Sequence, residues 1–234
     1  MNDPTNSEMA RRFPTAKSDG EIARILLAFL ATAGIFYINI MPAIVDGLIE
    51  GLGFSNQEAG FVASSNTYGA AIGAFVVVFF VKKLEWRTSA IVLLLGLISI
   101  DLTSMFLTSS KALIMLRALH GFLGGALVGI GFAVMSRTTE VSRSFGYLLT
   151  IQFGLGGLGI MFLPGLVPMF GTKALFLSLV AFSSVTLLMV PFLADYPPGQ
   201  NHHDRVAGKI RYLPAGAALL ATFLFQAANM AVYA

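Results

Sequence analysis

The chain contains no cysteine, few charged residues and a single tryptophan. Without cysteine it can form neither disulfide bonds nor thiolate metal sites. Charged residues make up 12% of its 234 residues, against about 25% in soluble domains. A chain so poor in charge cannot cover a surface that faces water. The net charge of +3 does not indicate nucleic-acid binding, because the basic residues lie between apolar runs.

Long apolar runs take the place of charge. Apolar residues make up 56% of the sequence, and phenylalanine alone occurs 20 times. A helix needs about 20 apolar residues to cross the hydrocarbon of a bilayer, and runs this long without alternation are not strands. We therefore predict an all-α integral membrane protein. Its seven predicted spans are residues 25–48, 59–81, 90–107, 113–135, 145–169, 175–193 and 213–233.

Lysine and arginine predict the orientation of the spans. Twelve of the 15 lie in the N-terminal tail and in the second, fourth and sixth connections. Only Lys111 and Lys173 lie in the connections of the other side, and Arg117 lies within a span. Because lysine and arginine are enriched in cytoplasmic loops, we predict a cytoplasmic N-terminus. The protein is then a multi-pass protein of the plasma (cytoplasmic) membrane, in contact with membrane lipid.

Polar segments divide the chain into four predicted parts. Residues 1–24 form a disordered cytoplasmic tail, residues 25–193 a six-helix transmembrane bundle, residues 194–211 a cytoplasmic loop and residues 212–234 a further helix. The loop contains His202, His203 and Asp204. Adjacent histidines in a flexible loop are usually solvated, so we predict no metal site. Ser55 and Glu58 have the spacing of a capping box at the start of span two.

Polar side chains inside the spans are the candidate functional residues. A charge within the membrane is costly, so it should face a partner or a watery cavity. His120 could carry a proton, since histidine titrates near neutral pH, or it could be a packed, hydrogen-bonded side chain. The predicted substrate or coupling pathway comprises Asn39, Asn66, Tyr68, Asp101, Arg117, His120, Gln152, Gln226 and Asn229.

Asp101 and Arg117 are predicted to lie at the same depth. Span three runs outward and span four runs back, and each residue is eight positions from Ser109. At 1.5 Å rise per residue, both side chains lie roughly 10 Å below the outer surface. Pairing two opposite charges on adjacent helices relieves both. Two alternatives stay open: the side chains face different ways, or Arg117 reaches Asn39 or a backbone carbonyl of span one.

Small residues recur four positions apart in spans two and four, and span five is rich in glycine. Such spacing lets two helices approach closely in lipid. The glycines predicted to pack helices together are Gly69, Gly73, Gly121, Gly125, Gly129, Gly156 and Gly157.

Arg117-x-x-His120-Gly121 resembles the Arg-x-x-Gln-Gly pattern of the major facilitator superfamily. Tyr68-Gly69 in span two, the basic second connection, the glycine-rich span five and the long loop after span six follow in the order of that family. The resemblance implies a bundle of two three-helix repeats, with helices one and four lining the path and helices three and six peripheral. It implies secondary active transport of a small solute by alternating access, with a proton or another ion as coupling partner and no cofactor.

Two features depart from the family pattern. The second connection, residues 82–87, is basic but lacks the glycine and aspartate of the family motif. Pro164 precedes Gly165 in span five, whereas proton-driven drug exporters have the order Gly-Pro. An antiporter assignment is therefore unsupported.

The family has twelve helices in two halves, with the substrate between them. With seven spans, we expect the N-terminal half and the first helix of the second half, from a truncated gene product or a fragment. A seven-helix protein that assembles as a dimer is the alternative.

Two other functions compete with transport. A seven-helix receptor or light-driven pump would place the N-terminus outside, and the retinal type needs a lysine that residues 213–233 lack. An enzyme is not expected, because the zinc-protease and serine-hydrolase motifs and a cysteine nucleophile are absent from the sequence.

Overall fold

The computed structural model describes residues 14–197, with residues 213, 214, 216, 217, 220, 221 and 224. The chain divides into two compact units, residues 1–200 and residues 201–234. The described residues of the second unit are helical, and the rest of the predicted span 213–233 lies outside the described residues. The regular structure of the described residues is entirely helical, which confirms the predicted all-α fold.

Between residues 14 and 197 the chain forms seven α-helices and one short 3₁₀ turn. Six helical segments are long and apolar enough to cross a membrane, in agreement with the first six predicted spans. The helices are α1 Glu21–Asn39, α2 Met41–Leu52, α3 Asn56–Phe80, α4 Trp86–Ser104, α5 Ser110–Met135, α6 Val141–Phe170 and α7 Lys173–Met189, and the 3₁₀ turn is Val190–Phe192.

The first predicted span is not one helix. Residues 25–48 were expected to be continuous, but α1 ends at Asn39 and α2 begins at Met41. Pro42 lies in the first turn of α2, where it has no N–H to donate to the carbonyl of Ile38 and its ring crowds that carbonyl. Ile40 between the two helices has φ −106° and ψ 13°. The helix is therefore interrupted beside Asn39, a predicted pathway residue.

A capping box lies at the start of α3. The Ser55 hydroxyl accepts a hydrogen bond from the N–H of Glu58 at 3.3 Å. The Glu58 carboxylate in return accepts one from the N–H of Ser55 at 3.0 Å. This confirms the predicted capping box and sets the start of α3.

The packing of the helices repeats within the bundle. α5 packs against α1, α3 and α4, while α1 packs against α5, α6 and α7. α4 and α7 also pack against each other. If α1, α3 and α4 are exchanged for α5, α6 and α7, these helix pairs map onto one another. Such a pattern is expected for two three-helix repeats. α1 and α5, the first helices of the two repeats, are the most buried of the six.

Two apolar cores lie towards opposite ends of the bundle. One lies towards the basic end, the end that holds the α3–α4 and α5–α6 connections, and it includes Leu27, Leu94 and Leu127. The other lies towards the opposite end and includes Tyr37 and Phe176. The rings of these last two residues border the candidate site.

Candidate functional site

Asp101 and Arg117 form an ion pair in the interior of the bundle. The Arg117 Nη1 atom lies 2.7 Å from Asp101 Oδ1, and neither side chain has any exposed surface. Arg117 also donates to the Ser104 hydroxyl and, at 3.4 Å, to the carbonyl of Ile100. The predicted contact between Asp101 and Arg117 is confirmed. The three acceptors lie on the last turns of α4, so the guanidinium fastens α5 to the end of that helix.

Arg117 does not reach Asn39, the alternative partner considered from the sequence. The Asn39 amide instead lies 3.5 Å from the carbonyl of Gln152 on α6. Ser104 was not identified from the sequence, although it lies three residues after Asp101 and such residues share a helix face. That spacing was the signal that could have found it.

Asn66 joins His120 to the backbone of α5. Its amide nitrogen lies 3.1 Å from the carbonyl of Arg117 and 2.8 Å from Nδ1 of His120. The amide donates one hydrogen to each, because the oxygen of a flipped amide would face the Arg117 carbonyl. Nδ1 of His120 is therefore the acceptor, and Nε2 carries the proton of a neutral ring. Nε2 points towards Asp101, lying 3.3 Å from Oδ2.

Aromatic rings surround the guanidinium. The Cζ atom of Arg117 lies 5.4 Å from the ring centre of Tyr37 and 5.2 Å from that of Phe176. Both distances fall within the range of cation–π interactions. The Tyr37 ring also lies 5.6 Å from the His120 ring. Neither aromatic residue was predicted, since an aromatic side chain inside an apolar span carries no polar signal.

The cluster is electrically balanced. One carboxylate faces one guanidinium, and the neutral histidine adds no net charge. Burying a balanced, hydrogen-bonded pair is far less costly than burying either charge alone. The members lie on α3, α4 and α5, with rings from α1 and α7, so five helices converge on the pair. This arrangement can hold the helices in one register.

The cluster contains four of the nine predicted pathway residues. Asn66, Asp101, Arg117 and His120 are at most 3% exposed. Tyr68 lies elsewhere and is 70% exposed. Asn39 and Gln152 meet between α1 and α6 and are partly exposed. Gln226 and Asn229 lie outside the described residues. The sequence thus predicted a single set of pathway residues, whereas the structure places the described members at separate sites in the bundle.

Glycine lets α3 and α5 approach closely. A Cβ atom on Gly121 would meet the carbonyl oxygen of Asn66, and one on Gly125 would meet that of Ala70. The same α3–α5 contact includes the other predicted glycines of these two helices, Gly69, Gly73 and Gly129. These contacts support the packing role of the five glycines, which stays a prediction. The sequence missed a second close contact, in which Gly34 of α1 faces Gly124 of α5.

The two neighbouring glycines predicted in α6 differ. A Cβ atom on Gly156 would lie 3.0 Å from Cβ of Asn39, so Gly156 packs against α1. A Cβ atom on Gly157 would meet nothing within 4 Å among the described residues, so a packing role for this glycine stays a prediction. Successive helical residues point about 100° apart, so Gly157 faces away from the bundle.

No metal site is present in the described residues, where no three histidine, aspartate or glutamate side chains cluster. His202, His203 and Asp204 lie outside the described residues.

The all-helical fold with membrane-length apolar helices agrees with one protein family. The model of the Major Facilitator Superfamily matches residues 25–234. This chain belongs to the Major Facilitator Superfamily. No curated protein sequence matches it. As a member of this superfamily it is an integral, multi-pass membrane protein and a membrane transporter.

This superfamily member uses Arg87 to hold the second connection in place. Arg87 donates to the carbonyls of Val190 at 2.8 Å and Leu193 at 2.7 Å. It also lies 3.1 Å from the carboxylate of Asp195. The end of α7 leaves carbonyls without helical partners, and the guanidinium satisfies some of them. The sequence showed that the family motif is incomplete here but not where Arg87 would bind.

A second set of charges joins α1 to α6 at the basic end. Arg24 pairs with Glu21 at 2.8 Å and with Glu140 at 3.6 Å. Arg143 pairs with the same two carboxylates at 3.0 Å and 3.4 Å. Nearby, burial raises the pKa of Tyr196 to about 12, and its hydroxyl donates to the carbonyl of Ser18 at 3.0 Å. These contacts hold the ends of the helices together.

Proposed function

We propose that this superfamily member is a secondary active transporter that moves a small solute across the cytoplasmic membrane by alternating access. Its N-terminus and its basic end face the cytoplasm. The observation that carries the proposal is the buried ion pair of Asp101 and Arg117 within a chain of a transporter family. Such a pair keeps one three-helix repeat fixed against the other, as a bundle that moves as a rigid body requires.

The interruption between α1 and α2 supports a solute path along α1. Helices interrupted inside the membrane expose backbone groups that can bind solute in transporters. Asn39 lies at this interruption and reaches Gln152 of α6 across a partly exposed surface. We assign the solute path to Asn39 and Gln152, and extend it to Tyr68, Gln226 and Asn229 as polar residues of other spans.

The buried cluster has a different role in this proposal. Asn66, Asp101, Arg117 and His120 brace the bundle, because their polar groups point at one another and not at an open surface. A gradient of protons or other ions supplies the energy. His120 is not the proton carrier, since its Nδ1 atom is occupied by Asn66 and its Nε2 atom faces Asp101.

Each of the four predicted segments of the chain has a role in this proposal. Residues 1–24 form a cytoplasmic tail, residues 25–193 the transmembrane bundle and residues 194–211 a cytoplasmic loop. Residues 212–234 form the first helix of a second half.

Solute accumulation in cells that carry the gene encoding this chain tests the proposal. Labelled sugars, organic acids, amino acids and drugs are offered one class at a time, with and without ionophores. We expect accumulation or efflux of one class that stops when ion gradients collapse. Movement that continues without ion gradients, or no movement of any solute by a correctly inserted protein, contradicts the proposal.

Matched variants locate the path. Asn39→Leu and Gln152→Leu should lower the rate of solute movement while leaving the amount of inserted protein unchanged. Leu95→Met, on an exposed side of α4, should leave both unchanged. Equal effects of all three variants would contradict the assignment of the path to α1 and α6.

A further inference from the structure

An open groove lies between α3, α4 and α5 near the basic end of the bundle. Its volume is about 500 Å³, within the range of about 300–1,000 Å³ typical of small-molecule sites. Val77, Ala126 and Ile130 form a buried floor, and all three are apolar. The hydroxyls of Thr88 and Ser89 are the only polar side-chain groups among the residues that line it. The groove therefore suits a hydrocarbon chain.

The mouth of the groove faces outward. Phe80 and Val92 line it and are 55% and 61% exposed, and Leu84 stands beside the connection from α3 to α4. In a chain that spans the membrane, an exposed apolar mouth at this place contacts lipid. Its position at the ends of α3 and α4 puts it at the depth where acyl chains meet their headgroups.

Two lysines that pair with none of the described residues lie at the headgroup end of the groove. Lys82 and Lys83 are exposed in the connection that leads to Leu84, and their side chains have no partner among the described residues. The nearest acid, Glu85, is occupied, since its carboxylate accepts from the N–H groups of Thr88 at 2.6 Å and Arg87 at 3.3 Å. Arg87 itself is bound to the end of α7. The two lysines are thus the charges left to attract an anion.

The second three-helix repeat has a groove that can be compared with the first. A second groove of about 510 Å³ lies between α6 and α7, at the opposite end of the bundle. It has one lysine, Lys173, whose ammonium lies 5.7 Å from the ring centre of Phe106. The two grooves occupy equivalent places in the two repeats, but of these two only the first lies beside two lysines that have no partner among the described residues.

We propose that the groove between α3, α4 and α5 binds one anionic phospholipid. An acyl chain lies along Val77, Ala126 and Ile130, and the phosphate lies against Lys82 and Lys83. Basic residues near the membrane surface attract anionic lipid, and the interaction is screened by salt. The lipid ties the α3–α4 connection to the bundle. This proposal requires the chain to span the membrane but does not depend on which solute it moves.

Native mass spectrometry of the full-length chain in detergent tests the proposal. Phosphatidylglycerol and phosphatidylcholine with identical acyl chains are titrated separately. We expect one tightly bound phosphatidylglycerol, with weaker binding of phosphatidylcholine. Lys82→Gln and Lys83→Gln should each lower that preference about fivefold. The control variant Lys111→Gln/Lys173→Gln removes two positive charges at the opposite end, as many as the two single variants together, and should leave the preference unchanged.

A variant that fills the groove distinguishes the contribution of the acyl chain to lipid binding from that of the headgroup. Val92→Trp should weaken binding of both lipids, whereas the lysine variants change only the preference between them. Glycerol phosphate, which has no acyl chain, should not displace the bound lipid. Equal binding of both lipids to the unaltered chain, or equal loss of preference in the Lys111/Lys173 variant, overturns the proposal. So does a dimer that binds no lipid and that Val92→Trp dissociates, because the groove would then be a protein contact.

Discussion

The guanidinium of Arg117 and the carboxylate of Asp101 meet at 2.7 Å on adjacent helices, where neither is reached by solvent or lipid. The other terminal nitrogen of Arg117, Nη2, donates to the Ser104 hydroxyl and to the Ile100 carbonyl. The two charges therefore neutralise each other, and the contact joins α4 to α5.

Neutralising one member of the pair should be more damaging than neutralising both. Asp101→Asn or Arg117→Gln alone leaves a buried charge without its partner, which costs about 3–5 kcal/mol of unfolding free energy. The double variant should recover much of that loss. Unfolding in detergent, followed by circular dichroism, measures all three. Glu50→Gln removes an exposed carboxylate of α2 and should have a small effect. A double variant as unstable as the sum of the singles would rule out the coupling.

His120→Gln should keep solute movement and its dependence on ion gradients. The glutamine amide can place an N–H group near Asp101 Oδ2, where the Nε2 atom of the histidine lies at 3.3 Å. His120→Leu should lower the stability of the bundle, since Asn66 and Asp101 then lose a polar partner. Transport assays at matched expression compare the two. If His120→Gln abolished ion-driven movement while expression and binding persisted, His120 would be assigned to proton coupling.

Gly125→Ala should lower the stability of the bundle, whereas Gly157→Ala should leave it unchanged or raise it. The added methyl on Gly125 meets the backbone carbonyl of Ala70, and separating α3 from α5 costs about 1–3 kcal/mol. The methyl on Gly157 meets no described atom within 4 Å, so alanine there should be neutral or stabilise by up to about 1 kcal/mol. Thermal unfolding in the same detergent compares them. Equal destabilisation would show that Gly157 also packs against a neighbour.

Arg87→Lys should destabilise the end of α7 although it keeps the positive charge. A lysine ammonium cannot reproduce the planar fork that contacts Val190, Leu193 and Asp195 together. We expect a loss of about 1–3 kcal/mol and faster hydrogen exchange at residues 190–196. Lys111→Gln, an exposed cation at the opposite end, is the control. Unchanged exchange in Arg87→Lys would show that charge alone suffices.

The orientation can be tested with single cysteines, since the chain has none of its own. Ser109→Cys and Lys83→Cys lie in exposed connections at opposite ends of the bundle. In intact cells a membrane-impermeant thiol reagent should label Ser109→Cys and spare Lys83→Cys, and after permeabilisation it should label both. The reverse pattern would place the basic end outside the cell.

Some of the site follows from chain geometry alone. The common depth of Asp101 and Arg117 follows from equal numbers of residues on either side of a short connection, because both helices rise 1.5 Å per residue. The high cost of an isolated charge in hydrocarbon then made pairing the favoured outcome. Direct contact still required both side chains to face each other, and the sequence left that open.

By itself the sequence determined that this chain is helical, spans a membrane and belongs to a transporter family. Long apolar runs, the distribution of lysine and arginine and the Arg117-x-x-His120-Gly121 motif suffice for that. Only the tertiary structure decided which side of each helix faces the interior. In lipid both sides of a helix are apolar, so periodicity does not distinguish Gly156, which packs against α1, from Gly157, which does not. The contact of Arg87 with the end of α7 likewise depends on residues more than 100 positions apart meeting in the folded chain.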